Sequence, residues 1–256
     1  MDPGPSSEGR QLSFEEAESV LLEPGEIELL GLMPNSSNYT FLARLTQPDA
    51  AGQTGVKALA VYKPAEGEAP LWDFPLGSLH RREVAAYRLA RFLGWPLIPP
   101  TVTRIDAPHG VGSFQLFIQA ESGRAYFRLR DERLAELMPV ALFDVLTNNA
   151  DRKAGHHLLD ADDRLWVIDH GLTFHPEPKL RTIIWDFAGE PLPEALRPDV
   201  HRALEAIESG SLAARLKGLI SARELSLLRR RLRGVADPSW RFPEPTSGWS
   251  VPWPPV

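Results

Sequence analysis

The residues of this chain best suited to chemistry lie in Phe143–Leu159, FDVLTNNADRKAGHHLL. An apolar helical pattern runs into Asn148 and gives way to a short polar loop. Asp151 sits in the middle of that loop, and His156 follows just before an apolar strand pattern. A second strand pattern, Val167–Gly171 (VIDHG), carries Asp169 at its end. A turn at Asp160–Asp163 joining the two strands brings Asp151, His156 and Asp169 to one end of a hairpin. Two carboxylates and an imidazole converging there suit a divalent metal with attached phosphates. An Asp in a loop also serves as a turn former or helix cap, so Asp151 alone carries little meaning. His157 points to the other side of its strand, as successive strand residues do.

The first half of the chain offers matching parts. In AVYKP, Lys63 ends an apolar strand pattern, where its ammonium can reach phosphate oxygens. Glu83 begins the helical run HRREVAAYRLARFL. A helix Glu that fixes a strand Lys toward a nucleotide is a working part of ATP-using phosphotransferases. The chain has no G-x-x-x-x-G-K-[ST] and no G-x-G-x-x-G run. Instead PNSSNY turns between two strand patterns, and the amides and small side chains of Ser36, Ser37 and Asn38 can wrap phosphate as a nest. GSFQLFIQ, Gly112–Gln119, reads as a strand leading into a hinge, with backbone groups at Phe117, Ile118 and Gln119 available to an adenine edge.

These residues need a frame. Residues 1–12, rich in Pro, Gly and Ser, read as disordered. Ser13 with Glu16 forms a capping-box pattern opening a helix over Phe14–Leu22, ended by Pro24 and Gly25. Strands follow at Ile27–Leu32, Asn38–Leu45 and Val56–Tyr62, with a turn near Asp49–Gly55. The helix His80–Leu93 places Val84, Tyr87, Leu89 and Leu93 at core spacing and stops at Gly94. Strands near Pro100–Ile105 and Gly112–Gln119 complete a β-rich half. A connector near Gln119–Gly123 leads to helices over Asp131–Asn148, Asp199–Gly210 and Ser221–Gly234, with the hairpin His157–Leu159/Leu165–Ile168 between the first two. The Pro- and Trp-rich tail from Asp237 is expected to lie over the surface or fray. Such segregation of strands and helices implies two lobes with a cleft.

The bulk properties narrow the partners. The chain has 256 residues, 43% hydrophobic and 24% charged, as in an ordinary globular protein. Its formal net charge of −6 does not favour nucleic acid or an anionic membrane. With no cysteine, disulfides, thiolate metal sites and Cys nucleophiles are excluded. No apolar run has the length of a membrane span and no signal pattern opens the chain, so a cytoplasmic protein without integral membrane association is expected.

The catalytic run resembles that of the phosphatidylinositol 3-/4-kinase-like kinases, an atypical kinase group, and most closely the type II phosphatidylinositol 4-kinases and their bacterial relatives. Their D-x-x-x-x-N-x-D-R loop is matched by Asp144, Asn149, Asp151 and Arg152, and their I-D-N-G motif by Ile168, Asp169, His170 and Gly171. An uncharacterised family of actinobacterial kinase-related proteins with a D-R-K-x-G-H run is similar as well. The resemblance spans Asn35 to about Asp199. It implies a two-lobed, protein-kinase-like α+β fold, with the N-lobe at 13–118, the C-lobe at 119–236 and a tail at 237–256. It also implies ATP and Mg²⁺ or Mn²⁺ as cofactors. By the resemblance Asp151 is the catalytic Asp on the acceptor side, Asp169 holds metal, and Lys63, fixed by Glu83, binds phosphates. Five residues past the catalytic Asp these kinases carry a metal-binding Asn; here His156 stands, and imidazole suits Mn²⁺ better than Mg²⁺. The expected partners are a nucleotide and an unidentified phosphoryl acceptor, a small molecule or protein rather than a lipid, because no basic membrane-facing cluster is present. A nucleotide-binding pseudokinase, an AMP transferase on the same scaffold, and a metal-dependent hydrolase using His156, His157, Asp151 and Asp169 are the alternatives.

Overall fold

Ser13 caps the first helix as its spacing predicts. Its Oγ accepts from the Glu16 amide at 3.1 Å, and Glu16 Oε2 accepts from the Ser13 amide at 2.8 Å. This computed structural model describes residues 13–23, 25–34, 36, 38–48, 54–95, 97–120, 125–246 and 248–255. The disorder expected at 1–12, Ser37, most of the turn near Asp49–Gly55 and the 121–123 part of the connector lie outside the described residues. The chain divides into two compact units, one from residues up to Val84 plus Pro99–Ile118, the other from Ala85–Ile98 plus Gln119 onward.

The first unit holds α1 (Phe14–Leu22) and five strands: β1 (Glu26–Leu32), β2 (Phe41–Pro48), β3 (Thr54–Pro64), β4 (Thr101–Arg104) and β5 (Gly112–Leu116). They form one antiparallel sheet in the order β1-β2-β3-β5-β4. Its core is Leu21 of α1 packed with Ala43, Leu45, Ala60, Tyr62 and Phe114 of the sheet. Several strand ends differ from expectation, the start of β2 and the end of β5 among them. β2 starts at Phe41 rather than Asn38, because residues just before it are tied to another segment: Tyr39 N–H donates to Gly67 O and Asn38 Oδ1 accepts from Ala69 N–H. β5 ends at Leu116 rather than Gln119, with one more rung from Phe117 N–H to Leu59 O. Helix α2 (Leu79–Leu93) follows β3 and buries Val84, Tyr87, Leu89 and Leu93 at the anticipated spacing. Gly94, at φ 78°, ends it in the left-handed region that glycine enters freely.

The second unit is mostly helical. It contains α3 (Ala125–Glu132), α4 (Met138–Thr147), the hairpin β6 (His157–Leu159) and β7 (Leu165–Val167), then α5 (Arg197–Ser209), α6 (Ser211–Leu216) and α7 (Ala222–Val235). The helix expected over Asp131–Asn148 begins only at Met138, as α4, after α3 has ended at Glu132 and a 3-10 turn has run over Leu134–Leu137. Pro139 is the reason: without an N–H, and with a ring that clashes with the preceding turn, it fits only the first turn of a helix. α3 and α6 went unread in the sequence. The hairpin turn is built by Asp160, whose Oδ1 accepts from the amides of Asp162 and Arg164 while Oδ2 accepts from Trp166 Nε1–H. Described parts of the tail are packed. Phe242 is buried and its N–H donates to Glu190 O, and Ser250 is buried as well. Among the described residues, no helix is long and apolar enough to cross a membrane.

Gly112 sits opposite Pro64 in the β3–β5 ladder, one rung from Lys63. A Cβ there would lie 2.5 Å from Lys63 O and 2.6 Å from Tyr62 Cε2. Neither the strand backbone nor the packed ring can give that much way. Gly112→Ala is therefore expected to cost about 1–3 kcal/mol, read by urea denaturation, and to disturb the strand end that carries Lys63.

Candidate active site

Lys63 is the last residue but one of β3 and pairs with Ser113. Its Nζ lies 2.5 Å from Glu83 Oε1 of α2, and the Glu83 side chain is only 3% exposed. A buried carboxylate held against an ammonium keeps the long Lys side chain in one arm position, which an exposed strand-end Lys would not have. Ser36 and Asn38 line a cavity of about 440 Å³ with Leu32, Tyr39 and residues 66–70. Ser36 Oγ is 2.9 Å from Thr40 Oγ1, and the Asn38 side chain is engaged by Ala69. Glu66 and Glu68 share the lining. Burial raises the Glu68 pKa, but hydrogen bonds from the His80 ring and from the His80 and Leu79 amides outweigh it and hold the carboxyl below its ordinary value. A bare phosphate in this cavity would meet negative charge, so an anion there needs an accompanying cation.

The second unit is organised around Arg152, which has no solvent exposure. Its Nε and Nη2 donate to the Asp144 carboxylate of α4 at 3.0–3.2 Å, and Nη1 donates to Ile168 O at 2.9 Å. Nη2 also lies 2.8 Å from His170 Nε2; Arg only donates, so that nitrogen is the acceptor. Asp144 accepts as well from Asn149 Nδ2 and Thr182 Oγ1. Four of the residues matched to the two motifs, Asp144, Asn149, Arg152 and Ile168, thus form one hydrogen-bonded knot.

Asp151 and Asp169 are held at the edge of this knot. The Asp151 amide donates to Asn149 Oδ1, and Asp151 Oδ2 pairs with Lys153 Nζ at 3.1 Å. Burial raises the Asp151 pKa, with Asp169 adding to the rise, and Lys153 and Arg152 only partly oppose it. A carboxylate made more basic in this way is a better proton acceptor near neutrality. Asp169 follows β7 at φ 61°, a left-handed conformation uncommon for a non-glycine residue, and its side chain is 48% exposed. His156 Nε2 is 3.4 Å from Asp169 Oδ2. On the other side of the ring, His156 Nδ1 accepts from the Lys153 amide at 3.3 Å. With Nδ1 accepting, the ring proton sits on Nε2, facing Asp169. For Nε2 to bind a metal the proton must move to Nδ1 and the Lys153 bond must be given up. Asp169 is a hard, accessible oxygen donor that suits Mg²⁺ or Mn²⁺, while His156 fits only after that change. Among the described residues no group of three His, Cys, Asp or Glu side chains is arranged to hold a metal.

The structure therefore brings Lys63 to Glu83, and His156 to Asp169, and sets Asp151 against Lys153. Phe117 N–H is used by the sheet; Ile118 and Gln119 follow it directly. Two residues of evident consequence were not singled out in the sequence. Lys153 tunes Asp151. Asn148, the α4 C-cap at φ 51°, donates through Nδ2 to His175 O and Glu177 O and accepts at Oδ1 from Lys179 N–H. An Asn at the end of an apolar helical pattern was the available signal, since Asn is the commonest left-handed cap after glycine.

The strand order, the Lys–Glu pair and the helical unit with its Asp-bearing loop define a kinase-like α+β fold. Hydra Fam20, solved with sugar, matches it with a TM-score of 0.54 over 89% of this chain and 89% of that one, at 16% identity. The Helicobacter pylori proinflammatory kinase CtkA matches with a TM-score of 0.50 over 82% of this chain and 91% of its own, at 13% identity. No family model matches the chain. In sequence the chain is 36% identical over 282 residues to Protein Rv2133c of Mycobacterium tuberculosis, covering 96% of this chain and 98% of that protein, and it belongs to the same family.

Two outcomes test the site's construction. Arg152→Met leaves the Asp144 carboxylate buried without its cation and is expected to cost about 3–5 kcal/mol, with part recovered on adding Asp144→Leu; chemical denaturation of both variants measures this. His157, fully buried against Tyr126, has its pKa pushed from 6.5 down to about 3 by burial, with Arg152 and His156 adding to the fall. The folded state keeps this ring neutral while the unfolded chain protonates it. The stabilisation is complete above the unfolded value near 6.5 and is lost progressively as pH falls toward 3. His157→Leu should flatten the decline of Tm with acidity across that window.

Proposed function

We propose that the chain is an ATP-dependent phosphotransferase that moves the terminal phosphoryl group of ATP to a hydroxyl of a small molecule or protein. The observation that carries this reading is the Lys63–Glu83 ion pair, a buried helix carboxylate spent on fixing a strand-end ammonium. Lys63 contacts the α- and β-phosphates, and Ser36 and the turn around it add polar contacts. Backbone groups at Ile118 and Gln119 meet the adenine edge. Asp169 would hold the metal, with His156 beside it, and a bound Mg²⁺ or Mn²⁺ would supply charge neutralisation to the phosphates. Asp151 orients the acceptor hydroxyl. The new O–P bond forms as the bond to the ADP oxygen breaks, and the hydroxyl proton passes late to the Asp151 carboxylate. Positioning and charge stabilisation do most of the catalysis. Closer kinship to type II phosphatidylinositol 4-kinases is part of the proposal and rests on the Asp144–Asn149–Asp151–Arg152 motif.

One observation favours a second reading, a nucleotide-binding module without turnover. The Lys153 amide holds His156 in the tautomer that turns an N–H, and not a lone pair, toward Asp169.

Incubation with ATP, Mg²⁺ or Mn²⁺ and cell extract, followed by mass spectrometry, is expected to show ADP and a phosphorylated product. An AMP-bearing product would replace the proposal by nucleotidyl transfer, and tight ATP binding with no product would favour the second reading. Asp151→Asn should lower transfer by about a hundredfold or more without weakening ATP binding. Asp169→Ala should abolish the metal dependence of ATP binding in calorimetry while Tm barely moves. Equal ATP affinity with and without metal in the unaltered protein would count against Asp169 as a metal ligand.

A further inference from the structure

The C-terminal tail is tied into the loop that carries Asp151. That loop already lies beside residues 181–183. Arg152 N–H donates to Arg181 O at 3.0 Å, Ile183 N–H to Arg152 O at 3.2 Å, and Arg181 N–H to Asn149 O at 2.9 Å. The tail closes on both partners. Ser250 O accepts from Thr182 N–H at 3.1 Å and from Trp185 Nε1–H at 3.2 Å, and Ser250 Oγ accepts from Thr246 N–H at 3.1 Å to shape the turn that presents that carbonyl. Five residues later, Pro255 O accepts from Ala154 N–H at 2.9 Å, inside the loop itself and three residues past Asp151. The tail sequence suits this role. Its prolines narrow the free conformations of the undocked chain, and they offer carbonyls without bringing N–H groups that need partners.

The segment between Asp169 and Trp185 shows what the tail replaces. Many kinases order this segment by phosphorylating it, the phosphate recruiting arginines. Here its hydroxyl-bearing residues are Thr173 and Thr182, and both are buried. Thr173 Oγ1 donates to His170 O, and Thr182 Oγ1 donates to Asp144 Oδ2. Neither can accept a phosphate without unpacking the knot around Arg152. Asn148 fixes the segment at residues 175–179 and the tail fixes it at Thr182.

We propose that the tail around Ser250 and Pro255 is the positioning element of the candidate active site, so that a docked tail, and not a phosphate on the segment after Asp169, holds the Asp151 loop in its working form. This rests on the phosphotransferase reading for its catalytic consequence but not for its structural one. Amide hydrogen exchange on the nucleotide-free protein tests the structural part, using one chain ending at Trp253 and a second ending at Pro245. The first removes the Pro255 carbonyl and should speed exchange at Ala154 about tenfold, the worth of one hydrogen bond, leaving Thr182 protected. The second should speed both amides. Phosphoryl transfer should fall in both with ATP affinity retained. Unchanged exchange at Ala154 and Thr182 overturns the proposal, and so does faster exchange with undiminished transfer. Should the shorter chain fail to fold, Trp185→Phe takes away one of the two donors to Ser250 O and must loosen Thr182 for the proposal to stand. Should the full chain show no transfer at all, the functional reading fails while the exchange rates still decide whether the tail orders the loop.

Discussion

The buried Asp144–Arg152 ion pair is the interaction on which the helical unit depends. Two charges without solvent exposure are costly to bury, and attraction between them alone does not offset that cost. What makes the pair tenable is the saturation of both groups. Arg152 adds Ile168 O and His170 to its carboxylate, and Asp144 adds Asn149 and Thr182. Through these bonds one ion pair connects the end of α4, the Asp151 loop, the end of β7 and the segment beyond it. With both charged groups held by several partners, the network favours a single arrangement, because displacement leaves a buried charge short of partners.

That rigidity lets the unit hold unfavourable backbone at the positions that matter. Asn148, Asp169 and Phe174 all adopt positive φ. Asn148 recovers its cost through three side-chain bonds to residues 175–179, and Phe174, fully buried, donates its N–H to Thr147 O. Asp169 keeps its side chain half exposed, with its carboxylate beside His156 Nε2. From the far side, Arg231 of α7 donates to Leu146 O at the end of α4, so the last helix buttresses the turn from which the loop departs.

In the sheet unit the corresponding constraint is the close approach of β3 and β5 at Gly112. The absence of a side chain there lets the strand end that carries Lys63 sit tight against its neighbour, with Tyr62 stacked on Phe114 beneath. α2 then brings Glu83 to the ammonium. Neither Lys63 nor Glu83 is held by its own element alone; each limits the other's rotamers.

Local physics written into neighbouring residues was legible in the sequence by itself. The capping box at Ser13, the core spacing along α2, the glycine stop at Gly94, the hairpin around Asp160 and the division into strand-rich and helix-rich halves each depend on a few adjacent positions. The meeting of Lys63 with Glu83 was legible too, because a strand end and a helix start leave few places for two such charges. The break at Pro139 was also a local signal, outweighed in reading by the apolar periodicity on either side of it. Only the tertiary structure decided the rest. That Arg152 would point inward to Asp144, that His156 would accept from the Lys153 amide while facing Asp169, and that a proline-rich tail would supply carbonyls to Thr182 and Ala154 all hinge on partners far apart in sequence or on which ring nitrogen bears a proton. No periodicity or spacing encodes those choices; they are settled when burial requires every polar group in the loop to find a partner.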